Sequence, residues 1–135
     1  MTSIASANPI DDDAPRNIVM HVNVADPVQF NLILNNVENI LEHYIKRDNH
    51  LAIRVVCHGP GLHLLRRDTS PVMDRIEDMM DNAPQLAFYA CRNTLGRMTK
   101  AEGKAPELLA VAILVAAGLP EIIELQRQGW IYLKP

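Results

Sequence analysis

Residues 17–57 read NIVMHVNVADPVQFNLILNNVENILEHYIKRDNHLAIRVVC, and their reading decides the fold. Asn17 to Val24 is apolar, rich in β-branched residues and stops at Ala25-Asp26-Pro27, which marks a short strand. Asp26 then supplies a carboxylate at a helix cap, and Pro27 fills the first helical position, where a missing N–H costs nothing. Phe30, Ile33, Leu34, Val37, Ile40, Leu41, Tyr44 and Ile45 recur at helical spacing, while Asn31, Asn35, Glu38, Asn39, Glu42 and Lys46 take the other face. Asp48-Asn49-His50 breaks that helix, and Leu51 to Cys57 is a second apolar, strand-like run. A strand, a helix and a strand in so short a span make a βαβ unit, which requires parallel pairing and a right-handed crossover.

The same alternation continues downstream. His58-Gly59-Pro60-Gly61 reads as an irregular turn and Leu62 to Arg66 as a short helical turn. Ser70-Pro71 repeats the cap-then-proline signal and opens a helix with Val72, Ile76, Met79 and Met80 on one face and Asp74, Glu77 and Asp78 opposite. Asn82-Ala83-Pro84 ends it, and Gln85 to Cys91 is a third strand. Asn93 to Thr99 has helical character, followed by Lys100 to Pro106 as a polar, exposed loop. Val111 to Ala116 shows no alternation, which predicts a strand buried on both faces. Gly118 to Glu121 opens a last helix carrying Ile122, Ile123 and Leu125, closed by Gly129, and Trp130 to Leu133 is a short final strand. The expected fold is therefore α/β, a three-layer α/β/α sandwich with a mostly parallel five-stranded sheet.

Composition bounds the function. At 135 residues the chain suits one domain, expected over residues 16–135, with residues 1–15 as a disordered tail marked by Asp11-Asp12-Asp13 between prolines. A net charge of -3 offers no basic field for phosphates, so nucleic acid is not an expected partner. The longest apolar run, Leu108 to Leu119, is too short to span a bilayer, and no secretory pattern opens the chain. Two cysteines without close spacing make neither a disulfide scaffold nor a zinc knuckle, which points to a reduced, cytoplasmic setting.

In open α/β sheets, ligands bind outside the carboxyl ends of the strands. Asp26-Pro27, His58 to Gly61 and Cys91 to Thr94 all fall on that edge. Cys91 is the candidate nucleophile, because a helix amino terminus stabilises a thiolate through its dipole and unpaired N–H groups. Its other reading is a small apolar core residue. Cys57 ends the neighbouring strand and reads as buried and unreactive, with a resolving pair as the alternative. His58 reads as a pocket wall able to hydrogen-bond a substrate or the thiolate, and His21 and His43 as structural or exposed. A metal reading would join His58, His63 and Cys91, but their spacing is not a standard ligand pattern and no metal is expected. Gly59 and Gly61 fall short of a phosphate loop, since GxGxxG and GxxxxGK[ST] are both absent and Asp26 occupies the first βα turn. No cofactor is expected, and no GxSxG turn supports a serine hydrolase.

His58-Gly59-Pro60-Gly61 after a second strand, Cys91-Arg-Asn93-Thr94-Leu95 after a third, and a carboxyl terminus reading Leu125-Gln-Arg-Gln-Gly129-Trp-Ile-Tyr132-Leu-Lys-Pro135 together resemble the DsrE/DsrF-like family. The resemblance runs from about Asn17 to Pro135. It implies a small α/β sandwich that assembles into homo-oligomers, trimers or hexamers, or into related hetero-oligomers of sulfur-relay systems. It further implies that Cys91 takes up sulfur as a persulfide and passes it to a partner, with Asn93 and Thr94 shaping its pocket and His58 and Gly59 on the same edge. Arg92 departs from the glycine expected after the cysteine. The alternative is a non-enzymatic oligomeric module that binds a small ligand or protein, with Cys91 as pocket lining. Trp130 to Leu133 is the candidate edge for pairing between subunits.

Overall fold

The structure is a computed structural model and describes residues 16–45 and 51–135. The expected tail and the helix break at Asp48-Asn49-His50 lie outside the described residues. The elements run β1 (Arg16–Val22), α1 (Pro27–Ile45), β2 (Leu51–Cys57), a 3-10 helix (Gly59–Leu65), α2 (Met73–Asn82), β3 (Leu86–Cys91), α3 (Arg92–Glu102), β4 (Ala112–Val115), α4 (Gly118–Arg127) and β5 (Ile131–Leu133). The five strands form one parallel sheet in the order β4-β3-β2-β1-β5.

That order fixes the layers. The first three crossovers all step the same way across the sheet, and a right-handed connection then sends every intervening helix to the same face. The fourth crossover runs back past three strands to reach β5, so α4 must lie on the opposite face. Packing follows this logic. Ile18, Met20 and Val22 of β1, Ile53, Val55 and Cys57 of β2, and Leu86, Phe88 and Ala90 of β3 meet Phe30, Ile33, Leu34, Val37 and Leu41 of α1, Ile76 of α2 and Leu62, Leu64 and Leu65 of the 3-10 helix. The other face is thin: Val19 and Val56 with Ile122 and Leu125 of α4, flanked by Tyr89 and Trp130. Burying each large aliphatic or aromatic side chain contributes about 1.5–3 kcal/mol, so the α1 side dominates stability.

Four details differ from the sequence reading. The 3-10 helix begins at Gly59, so the expected turn and the expected short helix are one element. Gly61 is required there because a Cβ would lie 2.2 Å from the Val22 carbonyl oxygen. Helix α2 begins at Met73, with Ser70-Pro71 in the preceding turn and the Ser70 hydroxyl only 3.4 Å from the Val72 amide. Helix α3 runs on through Lys100 to Glu102 before Gly103 caps it. Most telling, β4 is an edge strand, with Ile113 49% and Leu114 42% exposed.

Candidate functional site at the carboxyl edge of the sheet

Strand β3 sends its helix to one face of the sheet and β4 sends its helix to the other. The gap between their carboxyl ends is the topological switch point, where two helix amino termini diverge from one crevice. Cys91 stands in that gap. It is the last residue of β3 and the cap residue of α3, and its Sγ accepts the Thr94 backbone N–H at 3.4 Å.

The Thr94 side chain and the backbone N–H groups of Gly118 and Asn93 also favour the ionised sulfur. Donors thus come from both α3 and α4. Burial pushes the Cys91 thiol up, but these hydrogen bonds together outweigh it and hold the thiol below its ordinary value. The Thr94 oxygen in turn accepts the Gly59 N–H at 2.8 Å, which leaves its hydroxyl hydrogen free to turn toward the sulfur. Gly118 admits this approach because it lacks a side chain: a Cβ there would sit 2.8 Å from the His58 Cβ.

His58 follows β2 and lies opposite Cys91, since the register pairs Cys57 with Ala90 one position earlier. Adjacent strands are about 4.8 Å apart, so the two residues are neighbours on the face that α4 covers. The His58 Nε2 meets the His21 Nε2 at 2.6 Å, and the His21 Nδ1 meets the Tyr132 hydroxyl at 2.6 Å. The two imidazole planes lie within 19° of each other with centroids 4.8 Å apart, so the rings meet edge to edge along the line of the Nε2–Nε2 hydrogen bond. Desolvation by burial lowers both histidines from their ordinary value, with repulsion from His58 and Lys134 added at His21 and from Lys134 at His58. Burial and these repulsions disfavour the imidazolium form of both rings.

The expected site residues Cys91, His58, Gly59 and Thr94 come together. Asn93 contributes its backbone, and its side chain is exposed. Asp26-Pro27 does not join them. The Asp26 Oδ1 caps α1 by accepting the Val28 N–H at 3.0 Å, and the segment lines a separate pocket with His63, Thr69 and Pro71. His63 bonds Thr69 at 2.9 Å, and among the described residues no three His, Cys, Asp or Glu gather as metal ligands would. Cys57 faces the α1 side, is fully buried, and burial pushes its thiol far up. Cys57 and Cys91 thus lie on opposite faces and form no resolving pair. The sequence reading missed three participants: Gly118, His21 and Tyr132. A buried histidine in an otherwise apolar strand was the available signal for His21.

No family profile and no curated protein matches the chain. Among solved structures it is similar to MTH1491 from Methanobacterium thermoautotrophicum, described as a protein of unknown function, with a TM-score of 0.75 and 28% identity over 89% of this chain and 99% of that one.

Proposed function

We propose that the chain is a sulfur carrier of the DsrE/DsrF-like kind, in which Cys91 takes up sulfur as a persulfide and passes it to a partner protein. One observation carries the reading: Cys91 caps the amino terminus of α3, its sulfur accepts the Thr94 N–H at 3.4 Å, and its surroundings favour the thiolate. A thiolate is the form that attacks the outer sulfur of a persulfide donor, and the same surroundings favour the thiolate that returns when the sulfur is passed on. The chemistry needs no cofactor. The reading includes a cytoplasmic, reducing location, and no helix among the described residues is long and apolar enough to cross a membrane.

The reading also includes a homo-oligomer, a trimer or hexamer. Ile113, Leu119 and Ile123 are each about half exposed on the α4 side, and both edge strands carry exposed apolar side chains. A second copy of the chain would cover them.

Intact-mass spectrometry after exposure to a low-molecular-weight alkyl persulfide tests the carrier. The expected result is a gain of one sulfur mapped to Cys91 and abolished in Cys91→Ser. No gain on the native protein would reject it. The 4% exposure of Cys91 favours the second reading, a binding module with Cys91 as lining. Under that reading, Cys91→Ser keeps partner binding and no sulfur is taken up.

A further inference from the structure

The Nε2 atoms of His21 and His58 stand 2.6 Å apart, a hydrogen-bond distance that requires one proton between them. One ring donates and the other accepts, and this ties the tautomer of each to the other. The Tyr132 hydroxyl on the His21 Nδ1 extends the coupling to β5. The chain then has two polarities. In the first, the Tyr132 O–H donates to His21 Nδ1, His21 Nε2–H donates to His58 Nε2, and His58 carries its other proton on Nδ1. In the second, His58 Nε2–H donates to His21 Nε2, His21 Nδ1–H donates to the Tyr132 oxygen, and His58 Nδ1 has a lone pair.

The two ends of this chain differ. Tyr132 is 37% exposed, and His21 borders a cavity of about 250 Å³ that Asn23, Gln29 and Lys134 also line. His58 lies beside Cys91 and against Gly118, whose N–H binds the sulfur. The Nδ1 of His58 makes no hydrogen bond among the described residues. A polar chain thus crosses the sheet from β5 through β1 and β2 to the side of the thiol, on one face.

We propose that Tyr132, His21 and His58 are a proton relay between solvent and the Cys91 pocket, run in opposite directions in the two halves of sulfur transfer. The proposal rests on the carrier reading. In the loading half, the Cys91 thiolate attacks the outer sulfur of a donor R–S–SH. The Cys91 S–S bond forms, the donor S–S bond breaks, and R–S⁻ leaves with the electron pair. His58 Nδ1–H protonates R–S⁻, His21 Nε2–H moves to His58 Nε2, the Tyr132 proton moves to His21 Nδ1, and water restores the Tyr132 hydroxyl. The rings end in the second polarity and remain neutral.

In the unloading half, the His58 Nδ1 lone pair takes the proton of an acceptor thiol R′–SH. The relay returns to the first polarity and releases one proton to water at Tyr132. The acceptor thiolate attacks the outer sulfur of Cys91–S–SH, giving R′–S–SH and the Cys91 thiolate. The sum is R–S–SH + R′–SH → R–SH + R′–S–SH, with no net oxidation and no proton gained or lost. The same geometry accounts for the need for two imidazoles, since one ring cannot reach from the β5 edge to β3. His58 is the group that touches the reacting sulfur compounds; His21 and Tyr132 act through it.

Tyr132→Phe keeps the ring and removes the relay's outer proton. Two rates are measured on the full chain: sulfur uptake from an alkyl persulfide, read by intact mass, and alkylation of Cys91 by iodoacetamide, whose iodide leaves without a proton. The relay predicts uptake slowed about tenfold, below the usual effect of a general acid because a thiolate already leaves readily. It also predicts alkylation within about twofold of the native rate, and a solvent deuterium effect on uptake that shrinks in the variant. Equal uptake in both proteins overturns the relay. So does a parallel loss of uptake and alkylation, which marks a merely structural tyrosine. Ring-nitrogen magnetic resonance judges the relay separately from the carrier reading. If the native protein takes up no sulfur but His21 and His58 are neutral, of linked tautomer, and altered by Tyr132→Phe, the carrier reading falls and the proton path to the pocket stands. If the two rings titrate independently near the ordinary histidine value, the relay falls whatever the loading shows.

Discussion

The Thr94 side chain acts twice: its oxygen accepts from Gly59, and it helps to hold the Cys91 thiol below its ordinary value. Valine has nearly the same shape and does neither. Thr94→Val should therefore raise the Cys91 thiol toward its ordinary value, because the helix N–H donors remain but the hydroxyl is lost. The rate of iodoacetamide alkylation at neutral pH should fall about fivefold, and its dependence on pH should move to higher pH. The same change leaves the Gly59 N–H without its partner, which costs about 1–3 kcal/mol of stability. Thr94→Ser should preserve both properties. An alkylation profile unchanged in Thr94→Val would remove the hydroxyl from the site. At this scale Cys91 and Thr94 were legible in the sequence because a cap position and a helix start are local signals. Gly118 was visible only as the start of a helix. Its role depends on the distance to His58, which no local pattern encodes.

At the scale of elements, α3 is held at both ends. Its first turn binds the Cys91 sulfur, and its last turn is tied by Arg66, a buried guanidinium that pairs with Glu102 at 2.7 Å and with Asp68 at 2.7 Å. The Arg66 guanidinium holds both carboxyls below their ordinary values, 4.5 for Glu102 and 3.8 for Asp68. A carboxyl depressed in the folded state adds stability above its unfolded value and loses that contribution as pH falls through its folded value. Native protein should thus lose melting temperature between about pH 5 and pH 3 more steeply than Glu102→Gln, which starts lower and changes less. Parallel curves would show that the pair carries no linkage. The element readings that held share a local cause. Helix α1 announced itself by periodicity and by Asp26-Pro27, and β2 by an apolar run between breakers. Strand β4 was misread because an apolar run without alternation normally means burial on both faces, and the sequence cannot say what supplies the second cover. Helix α2 began late because Ser70-Pro71 served a turn.

At the scale of the molecule, the two faces of the sheet are unequally dressed. Among the described residues, three α-helices and the 3-10 helix cover one face, while the ten-residue α4 alone covers the other. Leu119 and Ile123 of that helix remain 50% and 55% exposed. Under the oligomer reading, gel filtration of the native chain should give the mass of a trimer or hexamer, and Ile123→Lys should shift it toward the 15.1 kDa monomer. Elution of the native chain at 15.1 kDa would reject that assembly. The layer order and the parallel sheet were readable because alternating strands and helices leave few right-handed topologies. The Tyr132–His21–His58 chain was not, since its hydrogen bonds join residues 111 and 37 positions apart through strand register.

The two cysteines, set on opposite faces, also give the protein two independent clocks. Cys91 is buried at the end of β3 where it caps α3, so a thiol reagent reaches it by local opening of that edge. Cys57 has no exposure and lies in β2 between β1 and β3, so it reacts only when the central sheet comes apart. The fast phase of thiol modification therefore times opening at the carboxyl edge of the sheet, and the slow phase times global unfolding of the same molecules.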